Sequence, residues 1–164
     1  SRLISKVKPT LAASYQSQFG QVKFQEHQED FVKCELPRGF RLVMDNLYDP
    51  DAKRVRRYAH TRGITDSELW RFRVGYSPEL RRRMILPSFD ENGTLNYWTA
   101  RRCDSNPDWR YLNAKVPKTQ FVVGELDLDW SAEDIVLVEG PTDLIKCSLL
   151  NATCLLGSTL SENS

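Results

Sequence analysis

The sequence predicts a mixed α/β fold, and three patterns along the chain carry this prediction. Apolar residues recur at helical spacing between residues 49 and 75, two apolar runs flank a tight turn between residues 82 and 102, and the run IVLV precedes an amphipathic segment. At 40% hydrophobic and 27% charged residues, the composition is that of an ordinary globular protein. The composition therefore disfavours disorder and membrane insertion.

The first helix is predicted to begin at Asp49 or Asp51, because either carboxylate can accept hydrogen bonds from the free N–H groups of a first turn. It is predicted to stop at Gly63, a residue type that commonly follows a helix C-terminus. The apolar residues at helical spacing are Val55, Tyr58 and Ala59.

A second, shorter helix is predicted in ITDSELWRFRVG. Thr65 and Glu68 match the capping box S/T-x-x-E, in which each side chain bonds the backbone of the other residue. The helix is predicted to end at Gly75. The chain therefore contains a small helical unit of two helices joined by RGI.

A β-hairpin is predicted from RRMILPSF and TLNYWTARR, since DENG between them supplies a tight turn through Asn92 and Gly93. The residues that alternate on one face of its second strand are Leu95, Tyr97 and Thr99. Two interpretations of Tyr97 and Trp98 remain open. Either both rings offer stacking faces to unpaired bases, or one packs inward and the other lies on the surface.

The segment IVLVEGPTDLIKCSLLNATCLLGS is predicted to form strand, turn, helix and strand. IVLV is apolar throughout, as in a parallel strand covered on both faces, and DLIKCSLL is the helix that covers it. The preceding RYLNAKVPKTQFVVGEL is predicted to be irregular. Because one such unit is too small to protect both faces of a sheet, the fold is expected to continue beyond Ser164.

Three segments are distinguished by pattern and charge. Residues 1–36 are predicted to be a polar N-terminal arm or linker, residues 37–118 a basic α+β subdomain, and residues 119–164 the beginning of an α/β subdomain. The net charge is only +1, yet residues 1–52 are neutral, residues 53–118 carry 15 basic and 7 acidic side chains, and residues 119–164 carry 1 basic and 8 acidic. This separation predicts one surface for polyanions and another for cations.

The cysteines predict no zinc site, because the last two are seven residues apart and a histidine partner is missing nearby. We interpret all four as reduced residues of the core or surface. No apolar run approaches the ~18 residues of a transmembrane helix, and SRLISKVKPT lacks the apolar centre of a signal peptide. A cytoplasmic location is therefore expected. The cysteines considered for a zinc site are Cys34, Cys103, Cys147 and Cys154, and the histidines are His27 and His60.

Glu139 is the first candidate for chemistry. It lies directly after IVLV and before Gly140, so its carboxylate should emerge at the C-terminal edge of a parallel strand, where open α/β sheets bind ligands. Asp143 follows at the start of the helix. Two hard oxygen ligands suit Mg²⁺ better than zinc, although Asp143 can also serve simply as a helix cap.

Three successive motifs resemble a known family. VLVEGPTDLIK is similar to the first motif of the Toprim fold, and LLGST resembles the strand and turn that follow it in primases. Topoisomerases, small ribonucleases and recombination proteins share this fold, so the motif alone indicates a fold and not a function. RRRMILPSFDENGTLNYWTARR and RYLNAKVPKTQFVVGEL resemble, in order and spacing, the basic subdomain ahead of Toprim in bacterial and phage DNA primases. ITDSELWRFRVGYSP resembles the helical segment before it. The resemblance runs from about Leu36 onward and implies part of a primase RNA polymerase domain, with the first strand-helix-strand of a Rossmann-like Toprim sheet.

The resemblance also implies roles for individual residues. Those on positions that contact template or nucleotide are Arg81, Arg83, Arg101, Arg110, Tyr111, Asn113 and Lys118. Glu139 falls on the catalytic carboxylate that ligates metal or transfers a proton, and Asp143 on an acidic position just after it. Arg110 stands where many members have lysine, which replaces a compact ammonium with a planar fork, and Pro141 replaces a commoner aromatic residue. The alternative to such contacts is that Arg81, Arg82 and Arg83 are solvent-exposed side chains at the end of a strand. We expect this alternative to hold for at least one of them.

The function implied is RNA primer synthesis in DNA replication, with single-stranded DNA as template, ribonucleoside triphosphates as substrates and Mg²⁺ or Mn²⁺ as cofactor. A replicative helicase, separate or fused, is the implied protein partner. The family's further acidic motifs and its cysteine-rich zinc module are not found in these 164 residues, so this chain alone is expected to be inactive. A Toprim-type metal-dependent nuclease and a non-catalytic module that binds single-stranded DNA remain alternatives.

Overall fold

The computed structural model describes residues 33–105, 109–117 and 121–156. Its helices are α1 (Pro50–Thr61), α2 (Asp66–Arg71) and α3 (Pro141–Lys146), with a 3₁₀ turn at Glu125–Asp127. Its strands are β1 (Arg41–Leu42), β2 (Gly75–Tyr76), β3 (Arg83–Phe89), β4 (Leu95–Arg102), β5 (Tyr111–Asn113), β6 (Val136–Val138) and β7 (Ala152–Cys154). The predicted mixed α/β class is therefore confirmed.

The first five strands form one antiparallel sheet in sequence order, and the β3–β4 hairpin is its centre. The pairing runs from Arg83 opposite Arg102 to Phe89 opposite Leu95, with an irregularity at the turn end. In the turn, Asp90 Oδ1 accepts hydrogen bonds from the backbone N–H groups of residues 92 and 94, and Gly93 adopts a positive φ of 77°. The predicted hairpin is thus confirmed.

Three strands of this sheet were not predicted. RYLN lies in a segment that the sequence marks as irregular, but Tyr111–Asn113 extends the hairpin as β5, with Tyr111 opposite Arg101. The prediction for this segment is wrong because three residues are too few to show an alternating pattern. Strands β1 and β2, with two residues each, are missed for the same reason.

Helix α1 begins and ends at the predicted signals. Asp49 Oδ1 accepts a hydrogen bond from the N–H of Asp51 at 2.8 Å, so Asp49 rather than Asp51 is the cap. At the other end, Gly63 has a φ of 75° and donates to the carbonyl of His60, while Ile64 donates to the carbonyl of Ala59. This paired bonding satisfies two carbonyls that a helix end otherwise leaves free.

Helix α2 has the predicted capping box but ends earlier than predicted. Thr65 Oγ1 accepts from the N–H of Glu68, and Glu68 Oε2 accepts from the N–H of Thr65 at 2.7 Å. The helix stops at Arg71, and Arg73 takes the left-handed position with a φ of 54°. Gly75 lies in β2 instead, where a Cβ atom would come within 2.3 Å of the Phe40 ring.

The last described elements form the predicted strand, helix and strand. Strands β6 and β7 pair in parallel, with Val136 opposite Ala152 and Val138 opposite Cys154. The helix begins at Pro141 and ends at Lys146, so it is earlier and shorter than DLIKCSLL. IVLV is not covered on both faces by the described residues, because Leu137 is 57% exposed. The prediction of a doubly covered strand is therefore wrong for the described part of the chain.

One apolar core joins the two sheets. It contains residues of α1, α2 and the antiparallel sheet together with Val123, Leu144, Ile145 and Cys154 of the later segment. Tyr97 is 1% exposed and stacks on Phe121 with ring centroids 4.4 Å apart. The later segment is thus held against the face of β4, which brings the turn after β6 close to the sheet.

All four cysteines are free thiols. Burial raises the pKa of Cys103 and of Cys154 to about 12, so both thiols stay protonated and unreactive at neutral pH.

Within the described ranges, no helix is both long and apolar enough to cross a membrane.

Candidate functional site

A cleft of about 360 Å³ lies between the β4–β5 edge of the antiparallel sheet and the turn from β6 into α3. It brings together six of the nine residues that the sequence predicts for the site, although they are up to 42 positions apart in the chain, from 101 to 143. The six are Arg101, Arg110, Tyr111, Asn113, Glu139 and Asp143. The cleft is also lined by Thr99, Gly140, Pro141, Leu155 and Leu156.

The sheet side of the cleft is a wall of hydrogen-bond donors, which we call the donor wall: Thr99, Arg101, Arg110, Tyr111 and Asn113. Successive side chains of a strand point to opposite faces, so Thr99 and Arg101 share a face of β4. Their partners on β5 are Asn113 and Tyr111 respectively. The antiparallel register therefore places four of the five side chains on the same face.

Arg101 is held in place by two tyrosines. Its Nε donates to the Tyr58 hydroxyl at 2.5 Å, its Nη1 donates to the Tyr111 hydroxyl, and its guanidinium carbon lies 4.9 Å from the centroid of the Tyr111 ring. Burial opposes the charged form of Arg101, but the hydrogen bonds with Tyr58 and Tyr111 raise its pKa above the ordinary value. The cation is thus fixed at the cleft before any ligand binds.

Tyr58 of α1 and Arg62, the residue directly after this helix, extend this arrangement and were not predicted as site residues. Arg62 Nε donates to the Tyr58 hydroxyl at 3.3 Å, and the guanidinium lies 5.7 Å from the ring centroid. The signal available in the sequence was the i, i+4 spacing of the pair on a basic helix. The helical pattern predicts Tyr58 only as an apolar residue of the helix.

The opposite side of the cleft carries two carboxylates, which we call the carboxylate pair: Glu139 and Asp143. Glu139 follows β6 directly and is exposed, and Asp143 is exposed in the first turn of α3. Gly140 precedes helix α3 as its N-cap residue and supplies no side-chain cap, and the N–H groups of Asp143 and Leu144 donate to the Gly140 carbonyl. Both carboxylates are therefore presented to the cleft and accessible to a ligand.

Among residues 33–105, 109–117 and 121–156, no group of three or more His, Cys, Asp or Glu side chains is placed to hold a metal ion. The carboxylate pair has the hard oxygen chemistry that Mg²⁺ and Mn²⁺ prefer. In proteins Mg²⁺ often binds through one or two carboxylates, with phosphate oxygens and water completing its shell. The pair thus fits such an ion only as part of a site that a ligand or further residues complete.

Arg81 and Arg83, two further predicted residues, do not line the cleft. Arg81 is mostly exposed, with its Nε 4.0 Å from Asp51 Oδ2, as expected of a solvated strand end. Arg83 is only 6% exposed, and its Nη1 donates to the Ala100 carbonyl at 3.2 Å. Burial, and then the nearby Arg102, lower the pKa of Arg83. Its position does not support the predicted contact with template or nucleotide, and Lys118 lies outside the described residues.

Tyr97 and Trp98 adopt the second of the two predicted arrangements, in which one ring packs inward and the other lies nearer the surface. Tyr97 packs inward, and Trp98 is half-buried, with its Nε1 donating to the Glu35 carbonyl at 2.8 Å. The buried Tyr97 ring is therefore not free to stack on bases. Trp109 is 76% exposed beside Arg110, so it keeps a free ring face next to the donor wall.

No protein-family model matches the chain. Curated protein sequences likewise provide no significant match. Solved structures do: a DNA primase domain from Pseudomonas aeruginosa superposes with a TM-score of 0.59 at 20% identity, covering 72% of this chain and 51% of that one. The zinc-binding and RNA polymerase domains of the Aquifex aeolicus primase match with a TM-score of 0.58 at 22% identity, covering 74% and 41%.

A third match is the DnaG primase catalytic domain bound to single-stranded DNA, with a TM-score of 0.54 at 18% identity, covering 73% of this chain and 56% of that one. At these identities the comparisons show the fold, and it is the fold of primase catalytic domains, as the resemblance implies. The chain spans about half the length of the solved primases it matches.

Proposed function

We propose that this chain is part of a DNA primase and that its cleft holds nucleotide and template strand during RNA primer synthesis. One observation supports this proposal above the others. In a fold shared with primase catalytic domains, the donor wall and the carboxylate pair face each other across one cleft. Cations on one side and carboxylates on the other are what a triphosphate with its divalent ion requires.

The donor wall suits phosphate. A guanidinium has five N–H donors, and the two tyrosines engage Arg101 through Nε and Nη1 only, so further donors remain for a ligand. Arg110 is exposed at the same wall and can bind a second phosphate in bidentate fashion. Trp109 beside it offers a stacking face for an unpaired base. The wall can therefore hold both a triphosphate and a single strand.

The carboxylate pair suits the metal of phosphoryl transfer. When bound, Mg²⁺ or Mn²⁺ neutralises charge that develops on the phosphoryl oxygens. Glu139 and Asp143 would contribute two oxygen ligands from the end of β6 and the start of α3. We assign these elements to the beginning of a Toprim subdomain from residue 119, because a parallel strand ending in Glu-Gly and followed by a short helix matches that motif. Residues 37–118 are then the basic subdomain ahead of it.

The charge separation supports a polyanionic partner. The +8 of residues 53–118 predicts binding of a nucleic-acid backbone, and one of the similar primase domains is described as bound to single-stranded DNA. Ribonucleoside triphosphates as substrates, a replicative helicase as partner, and a cytoplasmic setting in bacteria or phage-infected cells complete the proposal; these rest on the resemblance.

The proposal is tested by three assays on the purified 164-residue chain: binding of a labelled single strand, binding of ATP with Mg²⁺, and metal-dependent cleavage of the strand. We expect binding of both ligands, each weakened by Arg101→Gln, and no cleavage. Cleavage that depends on Glu139 would show a Toprim nuclease instead. Strand binding without any nucleotide binding would show a non-catalytic module, and binding of neither would overturn the role of the cleft.

A further inference from the structure

Thr99 is a polar residue buried at the floor of the cleft. It lines the cleft although the residue is only 4% exposed. Its hydroxyl is shielded from solvent and has no hydrogen-bond partner within the described ranges 33–105, 109–117 and 121–156. A buried hydroxyl without a partner costs free energy, and such groups are uncommon in folded proteins. The fold by itself therefore gives no reason for a hydroxyl here.

The neighbours of Thr99 explain why its hydroxyl is unpaired. On β3 its partner is Leu86, which has no polar group, and on β5 its partner is Asn113, which is exposed at the cleft. Arg101 lies two residues along the same face of β4, roughly 7 Å away at the rise of an extended strand. Thr99 is thus the most buried cleft residue on a face that also carries the Arg101 guanidinium, the Tyr111 hydroxyl and the Asn113 amide.

We infer that Thr99 donates a hydrogen bond to a phosphate oxygen of the nucleotide bound in the cleft. Phosphate oxygens only accept hydrogen bonds, and every polar side chain of the donor wall can donate one. An anion drawn to Arg101 and Arg110 would enter the cleft that Thr99 also lines, where the unpaired hydroxyl can bond it. The inference rests on the proposed function and adds a positioning residue that neither charge nor the resemblance indicates.

The test compares inorganic triphosphate with ATP, each with Mg²⁺, by titration calorimetry on the 164-residue chain. Thr99→Val keeps the shape of the side chain and removes the hydroxyl. We expect it to weaken the binding of both probes by about tenfold, since a hydrogen bond to a charged group is lost. Thr99→Ser restores the hydroxyl and should bind both probes nearly as the unmodified chain does.

Thermal unfolding without ligand separates a binding role from a structural one. Because Thr99 has no partner, Thr99→Val should leave the midpoint level or raise it. Thr153 is the matched control: it is equally buried, but its Oγ1 donates to the Val123 carbonyl at 2.7 Å. Thr153→Val should therefore lower the midpoint and leave triphosphate affinity unchanged.

Each other outcome counts against the inference in a recognisable way. Unchanged affinity of Thr99→Val for both probes would overturn the inference and leave the proposed function standing. Weaker binding of ATP alone would move the contact to the sugar or base and overturn the phosphate assignment. A midpoint lowered by several degrees would reveal a structural hydrogen bond. Failure of the unmodified chain to bind either probe would overturn both the inference and the proposed function.

Discussion

Ser148 Oγ donates a hydrogen bond to Glu68 Oε1 at 3.0 Å across 80 positions of the chain. The other carboxylate oxygen of Glu68 completes the capping box at the start of α2. Burial alone would raise the pKa of Glu68, but the hydrogen bonds from Thr65 and Ser148 hold it below the ordinary value. One carboxylate thus links the helical unit to the segment that carries the carboxylate pair of the cleft.

Replacing Ser148 with alanine should weaken this link. We expect a loss of about 1 kcal/mol in the free energy of unfolding, because a partly buried hydrogen bond to a charged group is removed. Urea denaturation of the single and double variants with Glu68→Ala measures the coupling. If Ser148→Ala costs as much in the Glu68→Ala background as it does alone, the two side chains are not coupled.

Acid should remove the contribution of Asp66. Arg56 Nε and Nη2 bond its carboxylate at 2.8 and 2.5 Å, and with His60 they lower its pKa to about 2 although burial opposes this. A depressed folded-state pKa stabilises the protein above the unfolded-state value near 3.8, and this contribution disappears as the pH falls toward 2.

The stability difference between the unmodified chain and Asp66→Asn should therefore shrink over that pH range in denaturation experiments. Exposed Asp45 lies outside this contact, and Asp45→Asn is the control. An Asp66→Asn difference that stays constant from pH 6 to pH 2 would contradict the prediction.

Arg83 should matter for folding rather than for binding. Arg83→Ala removes the bond to the Ala100 carbonyl and the packing of a buried side chain, so we expect a loss of about 2–3 kcal/mol in stability. The affinity of the folded variant for single-stranded DNA should be unchanged. Weaker DNA binding by a variant that is fully folded in circular dichroism would restore the role that the sequence predicts.

Single-stranded DNA should bind at the donor wall, with affinity that falls as salt rises. In fluorescence anisotropy over a salt series, Arg101→Gln should reduce the slope of log affinity against log salt by about one contact. Arg71 is an exposed arginine on α2 away from the cleft, and Arg71→Gln should leave the slope nearly unchanged. Equal effects of the two variants would mean that overall charge, rather than the cleft, binds DNA.

Glu139→Gln should abolish primer synthesis in the full-length protein and leave DNA binding nearly intact. Removing a group that holds a catalytic ion or faces developing charge costs at least ~10²–10³ in rate. The thermal midpoint should stay level or rise, because neutralising one carboxylate relieves repulsion in an acidic segment. Primer synthesis by the 164-residue chain alone, or undiminished synthesis by the variant, would place the chemistry elsewhere.

The sequence predicted the elements whose signals are local. Asp49, the Thr65–Glu68 capping box and the Asn92-Gly93 turn each act within a few residues, so their effect does not depend on the rest of the fold. The predicted end of α2 at Gly75 is wrong because the chain leaves the helix earlier, before Arg73. Arg73 adopts a left-handed conformation that usually belongs to glycine. Very short strands such as β5 left no pattern to detect.

Several residues that the resemblance implies for the site line one cleft, while their roles there stay predictions. The resemblance identified Arg101, Arg110 and Glu139, and the structure places all three at one cleft. It also identified Arg83, whose burial depends on how β3 and β4 pair and cannot be read from its own neighbours in sequence. Tyr58 was missed because its bond to Arg101 joins a helix to a strand 43 positions away.

Residues that face each other across the cleft lie farther apart in the chain than residues that pair within the β3–β4 hairpin. Paired residues of the β3–β4 hairpin are at most 19 positions apart, from 83 to 102, whereas Arg101 and Glu139 are separated by 38. Short loops close at a lower entropic cost, so the hairpin should form early in folding and the cleft late. On the ribosome, at ~5–20 residues per second, the arginines emerge several seconds before the carboxylates that face them. For that interval a nascent chain presents the arginines of the cleft without the carboxylates that later face them.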